Sequence, residues 1–292
     1  NTLLNPKTGQ FLDQELDIQL VGNLSDIVKS DKSEETIHSA ALIGYPDYNN
    51  ADMSNDVSEL QTVMVVDTTA QRFFNGDEIS MLPGTRTEVN NLKTIFEKAT
   101  IDVDSYLNSD ASEELVKSLN SPSVLHLATH GFFLQSIDQS ETADNERGLM
   151  GMDIKTVNTN SLLRSGLLFS NAKNAFSKGG DGVLTAYEAM NLKLDDTELV
   201  VLSACETGLG EIRNGEGVYG LQRAIQAAGA KTVLMSLWTV SDDATQLLMT
   251  QFYQNWLIEK QDKRTAFRNA RAFLREKYPD PFYWGAFVMV GG

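Results

Sequence analysis

Short apolar runs alternate with longer amphipathic stretches along the whole chain. The apolar runs, each short enough to form one buried strand, lie at residues 18–21, 40–44, 63–66, 124–130, 167–169, 199–202, 233–238 and 287–290. The amphipathic stretches predict helices from residue 25 and at residues 87–100, 112–119, 186–192, 218–228, 242–258 and 263–278. This alternation predicts an α/β fold, with a mostly parallel central sheet, helices on both faces and right-handed crossovers.

The composition is that of a folded, acidic protein. The chain has 292 residues, of which 41% are hydrophobic and 22% charged, so it can bury a sizeable core in one large or two ordinary domains. Its formal net charge of −16 disfavours binding to nucleic acid. Because no apolar run is long enough to cross a bilayer and no signal peptide opens the chain, we expect a cytoplasmic protein without membrane contact.

Cysteine and histidine are scarce. One cysteine cannot form an internal disulfide, and with three histidines it makes a structural zinc site improbable. The acidic runs at residues 47–56 and 138–146 lack the ligand spacing of an EF-hand loop, which favours solvated loop acids over calcium ligands. We therefore expect no metal and no cofactor.

Two of the predicted strands end in residues capable of nucleophilic chemistry. His130 and Gly131 end the run that begins at residue 124, and Cys205 follows the run at residues 199–202. Sites in open α/β sheets form outside the carboxyl ends of the strands. There a histidine can take the proton of a thiol and later protonate a leaving amine, while backbone N–H groups of Gly131 and Cys205 stabilise an oxyanion. The same residues also fit a buried core cysteine and a polar cap on a strand end.

The other candidate motifs favour structural roles. His126 lies between two leucines and is predicted to be a hydrogen-bonded core histidine, whereas His38 is predicted at the surface. Residues 215–220 fit G-x-G-x-x-G, but Gly215 comes ten residues after Cys205 instead of directly after a strand, which favours close helix packing over nucleotide binding. The polar segment at 135–160 is long for a connection and is a candidate functional or cleavable loop.

The strand-end residues belong to longer blocks that resemble the CHAT family, caspase-like cysteine peptidases related to separase and often attached to tetratricopeptide repeats. The two signature blocks read HLATHG at residues 126–131 and LVVLSACETG at residues 199–208. Further blocks in the family's order lie at residues 41–48, 82–86, 162–167, 215–217, 221–224, 228–230 and 236–242. The resemblance spans residues 11–292 and implies a caspase-like α/β fold.

The resemblance also implies roles and boundaries. His130 would be the general base, Cys205 the nucleophile, and the N–H groups of Gly131 and Cys205 the oxyanion hole of a cysteine endopeptidase. Residues 1–10 would be an irregular lead, followed by an N-terminal pseudo-half at about 11–110 and a catalytic half at about 111–292. Because residue 1 is Asn, we expect a chain cut from a longer protein, preceded by a repeat or sensor domain, with a protein substrate and a regulatory partner.

Two residues bear on the predicted substrate preference. Asp242 falls where separase carries the acid of its pocket for a basic residue, and Ser203 lies two residues before Cys205, where metacaspases carry theirs. Asp242 also fits a helix N-terminus, where an acid suits the helix dipole. Glu206 either raises the pKa of the neighbouring thiol or points into solvent. An apolar pocket for leucine and a catalytically silent protein-binding module are the alternatives.

Overall fold

The computed structural model describes residues 2–16, 18–22, 36–49, 79–133, 160–173, 182–204, 211–213 and 217–291. Several features predicted from the sequence lie outside these residues. They are the apolar run at 63–66, the helix from residue 25, the segment at 135–160 except its last residue, and the residues Cys205 and Glu206.

The described residues form eleven strands. They are β1 Ser39–Pro46, β2 Asp102–Asn108, β3 Val124–Ala128, β4 Gly131–Phe133, β5 Ser165–Leu168, β6 Val183–Thr185, β7 Leu199–Leu202, β8 Glu211–Arg213, β9 Gly217–Tyr219, β10 Thr232–Ser236 and β11 Phe287–Gly291. Six of them form the central sheet, in the order β11-β10-β7-β3-β1-β2. All neighbours in this sheet are parallel except β10 and β11, which confirms the predicted mostly parallel sheet. Strands β4-β5-β6 and the hairpin β8-β9 form two small antiparallel sheets.

Eight α-helices accompany these strands in the part of the chain that is described. They are α1 Leu12–Glu15, α2 Pro83–Lys98, α3 Glu113–Ser118, α4 Ala186–Ala189, α5 Leu221–Ala227, α6 Asp242–Tyr253, α7 Lys263–Lys277 and α8 Pro281–Trp284. A 3₁₀ turn spans Ser161–Leu163, and a π-helical turn at Gln254–Ile258 extends α6. None of the described helices is long and apolar enough to cross a membrane.

The sheet is buried on both faces, as its continuous apolar strands predict. Successive residues of a strand point to opposite faces, and Leu199 of β7 belongs to one hydrophobic cluster while Val200 belongs to the other. The first cluster contains Leu92, Phe252 and Phe267, and so receives α2, α6 and α7. The second contains side chains of α4 and α5, among them Ala189 and Ile225. Helices therefore cover both faces, as predicted.

The structure corrects several of the predicted elements. Strand β3 ends at Ala128 and not at His130, and Gly131 belongs to the next strand. Helix α2 begins at Pro83 instead of residue 87, because proline lacks an N–H that the first helical turn would leave unpaired anyway. Val218 lies in β9 and not in the helix, which begins at Leu221. In the run at 18–21, Leu20 makes only an isolated parallel bridge to Val290.

Strand β2 was missed by the sequence reasoning. It lies at the edge of the central sheet, where no further strand covers it, and its residues are exposed or half-buried. An edge strand of this kind has no continuous apolar run, so hydrophobicity alone does not identify it.

Candidate functional site

A cavity opens at the carboxyl ends of three neighbouring parallel strands, β3, β7 and β10. It comprises about 410 Å³ of space, part of it open to solvent, and the polar residues that line it include Glu88, Thr129, Ser203, Ser236, Asp242 and Thr245. Thr129 directly follows β3, Ser203 directly follows β7, and Ser236 is the last residue of β10. This is the edge at which open α/β sheets bind ligands.

His130 follows Thr129 at this edge, with its imidazole held by a backbone carbonyl. The ring nitrogen Nε2 lies 2.8 Å from the carbonyl oxygen of Ser80. A carbonyl oxygen can only accept, so Nε2 carries the proton that it donates to Ser80. In the neutral ring, the lone pair is therefore on Nδ1, and the carbonyl fixes which nitrogen can act as a base.

The surroundings of His130 keep its ring neutral near pH 7. Burial lowers the pKa of His130 below its ordinary value, because a charged ring would lose hydration. The hydrogen bond to Ser80 and the negative charge of Asp242 oppose this shift without overcoming it. A neutral imidazole is the form that accepts a proton from a thiol.

Tyr48 holds the backbone of His130. The Tyr48 hydroxyl lies 2.9 Å from Thr129 Oγ1, and the backbone N–H of His130 donates to the same hydroxyl at 3.3 Å. Thr129 donates its only hydroxyl proton to the carbonyl oxygen of Leu168, so Tyr48 must be the donor to Thr129. The ring of Tyr48 also packs against the imidazole, with centroids 5.2 Å apart. Because Tyr48 is fully buried, its hydroxyl and ring are held in place and fix the position of His130.

Gly131 begins β4, which lies at one edge of the three-stranded antiparallel sheet. Leu168 donates its N–H to the carbonyl oxygen of His130 at 2.9 Å, and Gly131 faces Leu167 in the ladder. Residues that adjoin a hydrogen-bonded pair in an antiparallel ladder direct their N–H groups away from the partner strand. The N–H of Gly131 therefore points away from β5.

A buried hydrogen-bond network lies beneath the cavity, centred on Glu88 of α2. Glu88 Oε1 accepts a hydrogen bond from Ser203 Oγ at 2.7 Å and lies 2.9 Å from His126 Nε2. The other ring nitrogen of His126 lies 3.3 Å from the hydroxyl of Tyr253. His126 is fully buried, which confirms the predicted core histidine, and His38 is exposed, as predicted.

Asp242 is at the start of α6, where Ser241 caps the helix by accepting the N–H of Ala244. The helix-terminus interpretation is therefore correct, and Asp242 also lines the cavity. Its side chain packs on Gly84 at the start of α2, where an added Cβ would lie 2.6 Å from the Cβ of Asp242. Partial desolvation and the negative charge of Glu88 raise the pKa of Asp242, while His130 acts in the opposite direction.

The structure thus brings several of the sequence-predicted residues to one edge of the sheet. Ser203 and Asp242 line the same cavity, and the charge of Asp242 reaches the imidazole of His130. Cys205 lies outside the described residues. Within the described ranges, no three His, Cys, Asp or Glu side chains are grouped so that they could hold a metal ion.

The comparison with protein families covers the entire chain. A family model described as "CHAT domain" matches residues 1–292. The chain belongs to the CHAT family. Membership agrees with the caspase-like α/β fold that the sequence motifs implied, and with the mostly parallel sheet flanked by helices.

Two curated proteins resemble part of this CHAT domain. Tetratricopeptide repeat protein 28 of Mus musculus is 30% identical over 110 residues, and that of Homo sapiens is 31% identical over 111 residues. Each match covers 37% of this chain and 4% of the relative. The chain thus matches only a small part of these much longer proteins.

Solved structures of a bacterial proteinase resemble the CHAT domain in outline. The Arg specific cysteine proteinase gingipain R (RGPB) matches with a TM-score of 0.46 and 10% identity, over 88% of this chain and 47% of that chain. The complex of Porphyromonas gingivalis RgpB pro- and mature domains matches with a TM-score of 0.44 and 10% identity, over 87% and 47% of the two chains. Both TM-scores are below 0.5, so neither similarity bears on function.

Sequence reasoning missed three groups near His130 and the cavity. Tyr48 ends the family-like block at residues 41–48, and Glu88 lies two residues after the block at 82–86. The family resemblance therefore draws attention to both positions, but it does not indicate what either residue does. The Ser80 contact is made by a backbone carbonyl. Its position depends on the path of the chain and not on the side chain, so the residue type gives no indication of it.

Proposed function

We propose that this CHAT domain is a cysteine endopeptidase in which His130 is the general base and Cys205 the nucleophile. The observation that carries the proposal is the imidazole at the carboxyl edge of the sheet, neutral and held in one tautomer by the carbonyl of Ser80. The sequence spacing supports the partner. Strands β3 and β7 pair residues 75 positions apart, such as Val124 with Leu199, and Cys205 follows His130 by the same 75 positions.

The reaction follows from these groups. His130 Nδ1 takes the proton of the Cys205 thiol, and the sulfur attacks the carbonyl carbon of the scissile peptide. The N–H groups of Gly131 and Cys205 donate to the resulting oxyanion. The protonated imidazole then gives its proton to the leaving amine as the C–N bond breaks. Water, deprotonated by the same imidazole, hydrolyses the thioester and restores the thiol.

The cavity beside His130 is the proposed site for the side chain before the cleaved bond. Asp242 and Ser203 line it, and the carboxylate of Asp242 favours a basic side chain. Leucine is the competing occupant, since part of the cavity wall is apolar. A protein substrate and a regulatory repeat domain or sensor complete the proposal, because the curated relatives are named for tetratricopeptide repeats. We further propose a cytoplasmic location and a processing role for the segment at 135–160.

The test is cleavage of a fluorogenic peptide library by the full chain, beside the variants Cys205→Ala and His130→Ala. We expect cleavage after arginine or lysine, lost in both variants and retained in His38→Ala, which removes an exposed histidine. Cleavage that persists in Cys205→Ala would overturn the proposal. Cleavage after leucine alone would retain the peptidase and remove the role of Asp242.

If the wild type cleaves no peptide of the library, there are two explanations, and the reactivity of the Cys205 thiol distinguishes them. A cysteine activated by His130 reacts with iodoacetamide near neutral pH faster than free cysteine does. An inert thiol together with a silent library would favour a protein-binding module with a peptidase fold. A reactive thiol with a silent library would indicate that the regulatory partner is missing.

A further inference from the structure

The cavity is lined by a second carboxylate, at a position to which the sequence motifs assign no role. Glu88 is 2% exposed and lines the cavity, whereas Asp242 is exposed, so Glu88 forms the floor and Asp242 the rim. We propose that Glu88 is a specificity-determining residue, which selects a cationic side chain by placing a negative charge at the bottom of this cavity. The inference rests on the proposed function, because it takes this cavity to be the site for the side chain before the cleaved bond.

The lining of the cavity is chemically matched to lysine or arginine. Among the described residues that line it, two are acidic and none is basic. Leu82, Val240 and Phe287 supply an apolar wall. Lysine and arginine pack their methylene stems on apolar surface and keep a charged head beyond it. A leucine would fill the same wall, but it would add no donor or positive charge to the carboxylate of Glu88, whose partners would remain Ser203 and His126.

The negative charge of Glu88 has an effect that is separate from its role as a hydrogen-bond acceptor. The bonds to Ser203 and His126 could be accepted by the carbonyl oxygen of a glutamine, so they do not by themselves require a carboxylate. The negative charge does act on its neighbours, because Glu88 contributes to the raised pKa of both Asp242 and Tyr253. A cation between the two carboxylates of the cavity would relieve the repulsion between Glu88 and Asp242.

The test measures binding without catalysis, using the full chain with Cys205→Ala and agmatine, which carries the guanidinium and methylene stem of arginine. We expect Glu88→Gln to weaken agmatine binding by about 10- to 150-fold in calorimetry, the loss typical of a hydrogen bond to a charged group. Glu97→Gln, which removes an exposed carboxylate from the same helix, should bind as the parent does. Thermal melting checks that each variant is folded.

A third variant distinguishes the effect of the Glu88 charge from the effect of the buried hydrogen-bond network around it. Tyr253→Phe removes the hydroxyl beside His126 in the buried network, outside the lining of the cavity, and keeps the charge of Glu88, so agmatine binding should be retained. Equal losses in Tyr253→Phe and Glu88→Gln would overturn the inference, as would unchanged binding in Glu88→Gln or no binding to the parent. Binding that depends on Glu88 would support the inference even if the library showed no peptidase activity. Conversely, peptidase activity without agmatine binding would support the proposed function and overturn the proposal that Glu88 selects a cationic side chain.

Discussion

Tyr48→Phe tests whether a buried hydroxyl outside the cavity positions the candidate base. The substitution keeps the ring that packs on His130 and removes the oxygen that accepts the His130 N–H and donates to Thr129. The N–H of His130 then loses its acceptor, which costs about 1–3 kcal/mol of the free energy of unfolding. For a domain of this size, each kcal/mol corresponds to a fall in Tm of about 2–4 °C.

The effect on catalysis is expected to exceed the effect on stability. A base displaced by about 1 Å can cost roughly 100-fold in rate, so we expect kcat to fall about 10- to 100-fold. KM should be unchanged, because Tyr48 is not among the residues that line the cavity. Peptide-cleavage kinetics measure both constants. In ¹⁵N NMR, the parent should show one tautomer of His130, protonated on Nε2, and Tyr48→Phe a mixture.

Two controls show whether the loss follows from positioning or from instability. Tyr187→Phe changes an exposed tyrosine and should leave stability and rate unaltered. Ile225→Val removes a methyl group from the buried core and should cost about 0.5–1.5 kcal/mol of stability with kcat retained. If Ile225→Val lost as much activity as Tyr48→Phe, or if Tyr48→Phe kept the parent's kcat, the reasoning would be refuted.

Three further predictions concern the charges and the close contacts around the site. In a variant without the thiol, an NMR titration should place the pKa of His130 below its ordinary value. Asp242→Asn should lower this pKa further, because it removes a negative charge that favours the charged ring. A higher pKa of His130 in Asp242→Asn would contradict this. Gly84→Ala should displace the Asp242 side chain and so weaken cleavage after basic residues relative to cleavage after leucine. The measurement is the ratio of the two kcat/KM values. An unchanged ratio would contradict a functional contact between Gly84 and Asp242. Glu113→Leu removes the buried acceptor of the N–H groups of Gly182 and Val183, so it should lower the free energy of unfolding in urea by at least about 1–3 kcal/mol. An unchanged midpoint would contradict this.

Much of the fold could be predicted because the buried strands carry continuous apolar runs. Residues 199–202 are all apolar and form β7 as predicted. The polar edge strand β2 could not be found in this way, since its residues face solvent more than core. The hairpin that contains Val218 was missed for another reason: its spacing also fits the apolar face of the helix that follows.

The candidate site was predictable where chemistry lies in a residue type at a strand end. His130 and Asp242 were singled out from the sequence, and the structure places both at the carboxyl edge of the sheet. The support of the base could not be predicted, because it depends on contacts between residues distant in sequence. Tyr48 is 82 positions from His130. Glu88 is 115 positions from the serine that it binds, and only the packing of α2 against the sheet brings them together.

The most direct test of the account is covalent trapping of the thiol. Because the chain has a single cysteine, any thioether adduct found by intact mass after incubation with a peptidyl acyloxymethyl ketone must be on Cys205. We predict one adduct in the wild type, formed faster than with free cysteine, and a large loss of rate in His130→Ala. An equal rate in His130→Ala, or a rate no greater than that of free cysteine, would contradict the claim that His130 activates Cys205.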